Sequence, residues 1–326
     1  MRTPALLFLT AALSLPAAAL DLQAHRGGRG LAPENTLVAF ERALEIGVTT
    51  LELDVGITAD GVLVVGHDPS LNPFIVRDAA GQWLAAKGPS IRSLTHAQLK
   101  TYDVGRIKPE TPYASQFASQ QPRDGTRMPT LAEVFALVKE RGAASVKFNI
   151  ETKLSPLAPD ETANPEVFAN SLVNAIREAG MGGRVTVQSF DWRTLQIVQG
   201  LDSTIPTAYL TIQTMNSDNV NQGGWTAGLK LADHGSVPRM VKAAGGAVWS
   251  PNGGALKADD VKEAQALGLK VLPWTINAEA DMERLIGWGV DGIITDYPDR
   301  LRAVMQKRGL PLPAPVAAPQ RPRQVN

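Results

Sequence analysis

The sequence predicts an α/β protein whose eight strand and helix units form a single (β/α)8 TIM barrel. Eight short apolar segments alternate with amphipathic helical patterns, which is typical of a parallel sheet covered by helices. The predicted strands lie at residues 22–26, 49–57, 145–151, 184–189, 206–211, 247–250, 270–274 and 292–295. Several helical patterns are followed by a glycine where a helix would end, at Gly47, Gly142, Gly180, Gly268 and Gly289.

Length and composition agree with one globular unit. The chain has 326 residues, of which 44% are hydrophobic and 20% are charged, and this excludes collagen, coiled-coil and disordered classes. At about 150 residues per domain two domains would be expected, but α/β barrels commonly exceed about 200 residues as one domain. The alternative is an open doubly wound sheet with a glycine-rich phosphate turn after its first strand. The turn at Gly27–Gly30 lacks the dinucleotide spacing, and no P-loop or HExxH zinc motif is present.

Charge and cysteine content exclude several further classes. Lys and Arg together number 32, as do Asp and Glu, so the formal net charge is zero. Because no global field would attract nucleic acid or an anionic membrane, we expect neither as a partner, and any anion site must be local. The chain has no cysteine, which excludes disulfides, thiolate metal sites and a lipid-anchored lipoprotein.

The N-terminus predicts export. Met1 and Arg2 precede an apolar run from Ala5 to Leu15, and small residues follow up to Ala19, as in a secretory signal peptide. The run is about 11 residues long, which is too short to span a bilayer. A buried first helix is the alternative, but no polar face interrupts the run. We therefore expect cleavage after Ala19, so that residues 1–19 form the signal peptide and the mature protein is periplasmic or secreted, without a stable membrane anchor.

Two other segments depart from the strand and helix alternation. Residues 310–326 contain five prolines and no acidic residue, which predicts a disordered tail, with a proline-rich docking segment as the alternative. Residues 69–128 are too long for a plain loop, and we expect this insertion to fold over the barrel mouth. Within it, Thr95 predicts the N-cap of a short helix. His96 in the first turn of that helix is expected to be exposed rather than catalytic.

Polar side chains share one face of two predicted strands. In the second strand, alternation points Glu52 and Asp54 away from the apolar residues and thus into the barrel. The third strand repeats the pattern with Glu151 and Lys153. Unpaired buried carboxylates are strongly unfavourable, so these groups must be protonated, matched by cations or bound to a metal. A purely structural layer of Glu52, Asp54 and Lys153 is the alternative to a functional site.

Two of the four histidines lie beside these carboxylates in the predicted fold. His25 ends the first strand, and His67 follows the hairpin after the second strand. Imidazole titrates near neutral pH, so one ring can accept a proton while the other donates one. Arg26 adds a planar guanidinium suited to phosphate, and the helix that begins after Pro33–Thr36 could bind an anion with its first amides. A lone histidine at such a position is usually structural, but the pair indicates catalysis.

The chemistry-bearing residues form an ordered set of short motifs. In chain order these are His25-Arg26-Gly27, Glu34-Asn35-Thr36, Glu52-Leu53-Asp54-Val55, His67-Asp68, Glu151-Thr152-Lys153, Gln188-Ser189-Phe190, Trp274-Thr275-Ile276-Asn277 and the segment 291–298. The set resembles the glycerophosphodiester phosphodiesterase family over nearly the whole mature chain. One motif alone would be weak, whereas the ordered set is specific. The insertion at 69–128 also resembles that of the family's periplasmic, calcium-dependent branch.

The resemblance implies a metal-dependent barrel that hydrolyses glycerophosphodiesters, such as glycerophosphocholine and glycerophosphoethanolamine, to an alcohol and sn-glycerol 3-phosphate. It implies a general acid and base pair formed by His25 and His67. It implies one divalent cation bound by Glu52, Asp54 and Glu151. It implies substrate contacts from Arg26, Lys153, Gln188, Phe190 and Trp274. Independently, three carboxylates without cysteine form an oxygen site suited to Ca²⁺ or Mg²⁺, and the resemblance favours Ca²⁺.

Some assignments stay open from the sequence. Trp274 could equally fill the barrel, and Asn277 and Asp296 are weaker site candidates, although Asp296 follows the last strand at its C-terminal end. A glycoside hydrolase is a rival because paired acids on barrel strands also suit sugar chemistry, but it leaves the histidines and cations unexplained. The other rivals are an exported phosphodiester-binding protein without turnover and a lysophospholipase D-like enzyme. The attacking group, the head group and the oligomeric state are not determined by the sequence.

Overall fold

Eight parallel strands lie around a barrel in the part of the chain that the computed structural model describes, residues 19–222 and 224–318. The strands are β1 (Asp21–Ala24), β2 (Thr50–Ile57), β3 (Lys147–Thr152), β4 (Val185–Ser189), β5 (Thr207–Thr211), β6 (Val248–Pro251), β7 (Lys270–Val271) and β8 (Gly292–Thr295). The helices that follow them are α1 (Leu37–Ile46), α2 (Leu131–Glu140), α3 (Pro165–Glu178), α4 (Trp192–Leu201), α5 (Val237–Ala243), α6 (Ala258–Ala266), α7 (Glu279–Gly287) and α8 (Pro298–Lys307). The predicted (β/α)8 barrel is confirmed.

The barrel is nearly closed. Neighbouring strands pair in parallel from β8 through β1 and round to β7. Between β7 and β8 single backbone hydrogen bonds replace the ladder, from Asp291 to Val271 at 3.1 Å and from Ile294 to Pro273 at 3.0 Å. All eight predicted strands are present, and β7 is shorter than expected because Pro273 has no N–H to donate.

The helices begin and end where the sequence signals lie. Thr36 caps α1 by accepting a hydrogen bond from the Ala39 amide, and Gly47 ends the helix at a φ of 85°. Thr130 and Glu133 form a capping box at the start of α2. The apolar faces of these helices cover the outer face of the sheet, so the main core lies between strands and helices rather than inside the barrel.

Strand register directs the polar side chains inward. Glu52 lies opposite Asn149 and Asp54 lies opposite Glu151 in the β2–β3 pair. In the β3–β4 pair Glu151 lies opposite Gln188. The predicted alternation is therefore correct, and it collects carboxylates and amides at the same level of the barrel.

The insertion at residues 69–128 forms a small unit beside the mouth. It follows a short strand, Leu63–Val65, that pairs with β2, and it contains the helices His96–Leu99 and Pro112–Gln116 and a 3₁₀ turn at Ile91–Ser93. The first of these helices starts with the predicted Thr95 cap. The insertion has a separate apolar core, which consists of Leu71, Val76, Ile91, Leu99 and Val104 together with Val64 of the short strand before it.

Contacts with two barrel loops place the insertion over the mouth. The Gln121 amide donates to the Leu31 carbonyl at 2.9 Å. The Tyr297 hydroxyl donates to the Gln116 carbonyl at 3.2 Å. Leu31 follows β1 and Tyr297 follows β8, so the insertion rests on loops at the C-terminal ends of strands, as predicted.

The described part of the C-terminal segment differs from the prediction of disorder. Residues 310–318 lie along the barrel, where the Val316 amide donates to the Leu44 carbonyl at 2.9 Å and Arg302 donates to the Pro313 carbonyl at 2.7 Å. Proline carbonyls remain good acceptors although the ring removes the donor, so arginines on the barrel can hold this segment. Residues 319–326 lie outside the described residues, as do residues 1–18 of the predicted signal peptide. Across the described ranges, no helix has both the length and the apolarity to cross a membrane.

Candidate active site

A cavity of about 450 Å³ opens at the C-terminal ends of the barrel strands. It is lined by His25, Arg26, Arg29, Glu52, His67, Glu151, Gln188, Phe190, Leu210, Trp274, Thr275 and Ile294. Nearly all of the candidate residues from the sequence therefore line one cavity. Asp54 and Lys153 are not part of the lining, but they contact two residues that are, Arg26 and Glu151.

Three buried carboxylates form the floor of the site. Glu52, Asp54 and Glu151 each offer an oxygen, and the three oxygens lie within 4.8 Å of one another. Their residues are 1%, 0% and 6% exposed respectively. Adjacent positions on β2 and β3 bring them together, because both strands point alternate side chains into the barrel.

The partners of these carboxylates leave one oxygen unused. Glu52 accepts hydrogen bonds from the Gln188 amide group at 2.6 Å and from the backbone N–H of Arg26 at 2.8 Å. Asp54 Oδ2 accepts from Asn35 Nδ2 at 2.9 Å. Asp54 Oδ1 is fully buried and has no hydrogen-bond donor among the residues described. A buried acceptor without a donor is costly, and a cation held between the three carboxylates would satisfy it.

The three carboxyl groups of the triad differ in the direction of their pKa shifts. Burial raises the pKa of Glu52 well above its usual range, and the charge of Asp54 raises it further. Burial also raises the pKa of Glu151 to about 7, although the ammonium of Lys153 opposes this. Burial opposes ionisation of Asp54 as well, but positive charge from His67 and from the neighbouring arginine and lysine holds its pKa well below the usual range. Without a cation, protons therefore occupy part of the triad.

The donor set fits a hard divalent cation. Ca²⁺ and Mg²⁺ are bound by carboxylate and carbonyl oxygens, and the triad offers only carboxylate oxygens. The buried Oδ1 of Asp54, which has no donor among the described residues, and the raised pKa of both glutamates fit side chains that bind a divalent cation.

Arg26 lies directly above this floor. It belongs to a 3₁₀ turn at the end of β1 and has a φ of 53°, a left-handed conformation that costs a non-glycine residue about 1–3 kcal/mol. The turn lets its amide bond Glu52 while its guanidinium bonds Glu34 at 2.7 Å. Its Nε lies 3.4 Å from Asp54 Oδ2. The strained backbone thus serves to aim one residue at both the triad and the cavity.

Lys153 supplies a second positive charge. Its Nζ lies 2.6 Å from Glu151 Oε1 and 3.8 Å from Asp54 Oδ1. The same ammonium is 5.8 Å from the centre of the Phe190 ring. The salt-bridge contact with Asp54 and Glu151 does exist, but it leaves Asp54 Oδ1 without a hydrogen bond among the described residues, and the ammonium lies beside Glu151, which lines the cavity.

His25 is held by groups of the barrel. Its Nδ1 lies 2.6 Å from Asp296 Oδ1, and Asn277 donates to the other oxygen of Asp296 at 2.7 Å. Burial lowers the pKa of His25, although the charge of Asp296 opposes this. In turn, His25 and Arg29 hold the pKa of Asp296 well below its usual range despite its burial. A carboxylate at Nδ1 favours the tautomer with the proton on that nitrogen, so Nε2 is the free acceptor.

His67 is held by its chain neighbour. Its Nδ1 lies 2.8 Å from Asp68 Oδ1, and Asn72 of the insertion donates to Asp68 Oδ2 at 2.7 Å. Burial lowers the pKa of His67 to about 4, and the positive charges of Arg26 and Lys153 lower it further. Both rings are therefore neutral near pH 7.

Aromatic and amide groups form the opposite wall. Phe190 and Trp274 meet edge to face with ring centres 5.3 Å apart, and both line the cavity. The Trp274 indole donates to the Ser250 carbonyl at 2.9 Å. Gln188 reaches Glu52 and is itself bonded by Asn149 at 3.0 Å. Trp274 therefore faces the cavity instead of only filling the barrel.

Sequence reasoning left several of these contacts unassigned. Asp68 and Asp296 each hold a histidine, and their positions directly after His67 and at the end of β8 could have indicated this. Arg29 also lines the cavity. Its position within the glycine-rich turn at Gly27–Gly30 does not distinguish a site residue from an ordinary turn residue. Tyr113 of the insertion bonds Glu34, a contact between distant segments that no sequence pattern reveals.

Comparisons with known proteins identify the family of this chain. The model of the glycerophosphoryl diester phosphodiesterase family matches residues 25–300. This chain belongs to that family. A glycerophosphodiester phosphodiesterase of Caldanaerobacter subterraneus subsp. tengcongensis is 31% identical over 287 residues, which cover 88% of this chain and 98% of that protein.

Solved structures show the same relationship. A crystal structure from Silicibacter pomeroyi, provisionally assigned as a glycerophosphoryl diester phosphodiesterase, is 33% identical with a TM-score of 0.81 and covers 90% of this chain and 95% of that chain. An Oleispira antarctica phosphodiesterase in complex with its product, sn-glycerol 3-phosphate, is 21% identical with a TM-score of 0.64. It covers 88% of this chain and 97% of that chain, and at this identity it supports the fold alone. The chain is thus a barrel of a phosphodiester hydrolase family.

Proposed function

We propose that this protein hydrolyses glycerophosphodiesters to an alcohol and sn-glycerol 3-phosphate with one divalent cation. The observation that carries the proposal is the single cavity that holds two neutral histidines, two arginines and a buried triad of carboxylates. A phosphodiester needs charge neutralisation at phosphorus and proton transfer at two oxygens. This cavity offers groups for both, and the family name of the relatives gives the substrate class.

The cations of the wall hold the phosphate. Arg26 presents a planar guanidinium above the triad, and Lys153 presents an ammonium beside it. Both are fixed by carboxylates, Arg26 by Glu34 and Lys153 by Glu151, so little ordering is needed on substrate binding. Phe190 and Trp274 offer apolar faces for the carbon atoms of the glycerol.

Glu52, Asp54 and Glu151 would hold the divalent cation. When bound there, the cation would neutralise phosphate oxygens and stabilise the negative charge that grows in the transition state. Three carboxylates converging in a buried site favour Ca²⁺, because Mg²⁺ keeps several waters and commonly uses one or two carboxylates. The raised pKa of both glutamates means that the site releases protons as it fills.

The histidines move the protons at Nε2. Asp296 and Asp68 keep the proton of each ring on Nδ1, so each Nε2 is an acceptor that faces the cavity. One ring accepts the proton of the attacking hydroxyl, and the other takes up a proton from solvent beforehand and donates it to the leaving oxygen. The first ring then returns its proton to solvent, so each cycle restores two neutral rings. The aspartates stabilise the imidazolium that forms in each case. The attacking hydroxyl is either water or the 2-hydroxyl of the substrate, and measurement of a cyclic phosphate intermediate distinguishes them.

The rival functions explain fewer of the contacts. A glycoside hydrolase would need a pair of carboxylic acids but no arginine, lysine or histidine pair at the scissile bond. A phosphodiester-binding protein without turnover would not need carboxylates to fix the tautomer of both histidines. We also propose that the protein is exported to the periplasm or the medium, on the strength of the signal-like residues 1–19. N-terminal sequencing of the protein from cell fractions tests this, with cleavage after Ala19 expected.

The direct test is release of sn-glycerol 3-phosphate from glycerophosphocholine by residues 20–326. The protein is treated with EDTA, and Ca²⁺ or Mg²⁺ is then added back. We expect activity that EDTA abolishes and that Ca²⁺ restores more fully than Mg²⁺. Lysophosphatidylcholine is assayed in parallel, since its hydrolysis at a higher kcat/KM would favour the lysophospholipase D-like alternative. A folded protein that binds glycerophosphocholine but turns over neither substrate with any cation would instead be a binding protein.

A further inference from the structure

We propose that the cavity prefers glycerophosphodiesters whose alcohol carries a negative charge, and that Arg29 recognises this charge. The inference rests on the proposed function and names the class of substrate within it. Two independent observations carry it: an arginine with unused donors in the cavity wall, and a basic insertion over the mouth.

Arg29 is held rigidly beside the cavity. Its Nε donates to Asp296 Oδ1 at 2.7 Å, and its guanidinium carbon lies 4.7 Å from the centre of the Phe117 ring. The aspartate is part of the barrel and the phenylalanine is part of the insertion, so Arg29 is fixed between the two. Its side chain is 16% exposed and contributes to the cavity lining. A guanidinium fixed in this way keeps its remaining donors in place for a ligand.

The guanidinium of Arg29 has donors that the protein leaves unused. Its Nη1 makes only a long contact of 3.4 Å with the Tyr113 hydroxyl, and within residues 19–222 and 224–318 its Nη2 has no hydrogen-bond partner. The difference from Arg26 is one of charge: Arg26 has two carboxylates beside it, Glu34 at Nη1 and Asp54 at 3.4 Å from Nε, although its Nε makes no hydrogen bond to a described residue. Two carboxylates therefore balance the positive charge of Arg26 near the triad. Arg29 has one carboxylate beside it, Asp296, and that group also contacts His25.

The depth of the two arginines assigns them to different parts of the substrate. Arg26 touches Glu52 and Asp54, which are buried inside the barrel and mark where the reacting phosphate lies. Arg29 contacts Tyr113 and Phe117 of the insertion, which rests on the loops at the C-terminal ends of β1 and β8. A group that extends from the phosphate toward the mouth passes Arg29. This group is the alcohol that leaves.

The insertion adds a field of the same sign. Residues 69–128 contain eight Lys and Arg against four Asp and Glu, a net charge of +4 in a chain whose net charge is zero. Lys87 and Lys100 pair with Glu161 and Glu133 outside the insertion, so the insertion together with these two partners keeps a net charge of +2, which is +4 reduced by two. A charged rim of this kind raises the local concentration of anions and disfavours cations such as choline.

The experiment compares two substrates that differ by one anionic group. Glycerophosphoinositol has a neutral alcohol, and glycerophosphoinositol 4-phosphate has the same alcohol with a phosphate added. We measure kcat/KM for both with the metal-loaded full protein, with Arg29→Gln, with Arg29→Lys and with Arg239→Gln. The last variant removes an exposed arginine of α5 that pairs with Glu263 and does not line the cavity.

We expect the wild type to hydrolyse the phosphorylated substrate with a kcat/KM about ten-fold higher, which corresponds to a typical charge-assisted contact. The ratio should fall to about one in Arg29→Gln, stay above one in Arg29→Lys, which keeps the charge, and be unchanged in Arg239→Gln. It should also shrink as NaCl rises, because salt screens the field of the rim.

The ratio separates this inference from the proposed function. Loss of the contact with Asp296 could slow Arg29→Gln on every substrate, but a uniform loss leaves the ratio at its wild-type value and would show that Arg29 is only structural. A wild-type ratio of one or less would overturn the inference while leaving phosphodiester hydrolysis intact. If neither substrate is turned over by a protein that also fails on glycerophosphocholine, the proposed function itself fails.

Discussion

The two histidines of the cavity have equivalent partners but different surroundings. His25 is 8% exposed, and its aspartate, Asp296, is 1% exposed and held by Asn277 from the loop after β7. The side chains of His67 and its aspartate, Asp68, are 30% and 35% exposed. One half of the site is thus made by barrel strand ends, and the other half lies on a loop that leads into the insertion.

The difference shows where the precision of the site comes from. A histidine on a strand end inherits the rigidity of the sheet, whereas one on a loop needs support from residues that are themselves positioned by other contacts. Asn72 gives this support to Asp68 from within the insertion. The insertion therefore has a second role besides covering the mouth, since it orders one of the two histidines that we propose as the catalytic pair.

The largest expected effect is loss of either ring. His25→Ala and His67→Ala should each lower kcat by about a hundred-fold to ten-thousand-fold, the range for general acid and base groups. Neither ring is among the three residues that converge as metal ligands, so cation affinity and thermal stability should change little. Steady-state kinetics with calorimetric titration of Ca²⁺ checks this. A variant that loses cation affinity would identify its histidine as a metal ligand.

Loss of one carboxylate of the triad should affect the His25 half and the His67 half of the site equally. Glu52→Gln, Asp54→Asn and Glu151→Gln should each weaken cation binding by at least about ten-fold, because each removes a charged ligand from the triad. Excess Ca²⁺ should restore part of the activity in at least one variant. The matched control is Glu166→Gln, an exposed carboxylate on α3, which should behave as wild type. Activity that falls without any change in cation affinity would argue against the ligand assignment.

Neutralising Asp296 and Asp68 in separate variants tests directly whether the difference in exposure between the two histidine–aspartate pairs matters. Asp296→Asn should lower kcat by about a hundred-fold and Asp68→Asn by about ten-fold, because the buried carboxylate fixes its ring more tightly and is less replaceable by water. For Asp68→Asn a kcat loss with unchanged KM is expected, since Asp68 does not line the cavity, whereas Asp296→Asn also loosens Arg29 and should raise KM. Equal losses in the two variants would show that exposure does not decide the contribution.

Asp296 also links the His25 half to stability. Its folded pKa is depressed by His25 and Arg29 although burial opposes this, so its ionisation stabilises the fold above its unfolded pKa of about 3.9. That contribution is lost as the pH falls through the folded pKa. The stability difference between wild type and Asp296→Asn should therefore be greatest near pH 7 and shrink below about pH 4. Urea unfolding at several pH values measures it.

The sequence predicted the barrel and the ligand side chains well because both depend on local alternation. The inward position of Glu52, Asp54 and Glu151 follows from strand periodicity, and register then brings them together. The aspartate at each histidine was harder to foresee. Asp296 reaches His25 only because β8 pairs with β1, a contact between residues 271 positions apart.

The parts that sequence reasoning missed depend on the insertion and the tail. Tyr113 and Phe117 reach Arg29 through packing of the insertion against the barrel loops, which no periodicity encodes. Residues 310–318 lie on the barrel although their composition predicts disorder, because barrel arginines hold their carbonyls. Composition describes what a segment can do alone, and both segments are ordered by distant partners.

Cation affinity should depend on pH in a way that does not involve His67. Burial raises the pKa of Glu151 to about 7, so a proton must leave as the cation binds. Affinity should therefore weaken about ten-fold between pH 8 and pH 6. Burial lowers the pKa of His67 to about 4, so this ring stays neutral over the range and His67→Ala should show the same dependence. Calorimetric titration in two buffers also measures the released proton, and a flat profile would contradict the raised pKa of the glutamate.

The smallest effects should separate support by the insertion from catalysis within it. Asn72→Ala removes the hydrogen bond to Asp68 and should lower kcat by about two-fold to five-fold, which corresponds to one hydrogen bond of about 0.5–1 kcal/mol. His96→Ala should leave kcat unchanged, because the His96 side chain does not line the cavity. The backbone amide of His96 donates to Asp60, and the substitution keeps this hydrogen bond. Both variants lie in the insertion, so general damage to that unit would lower both rates. If His96→Ala were as slow as His67→Ala, the insertion would contain a catalytic residue, and the two-histidine site at the barrel mouth would be incomplete.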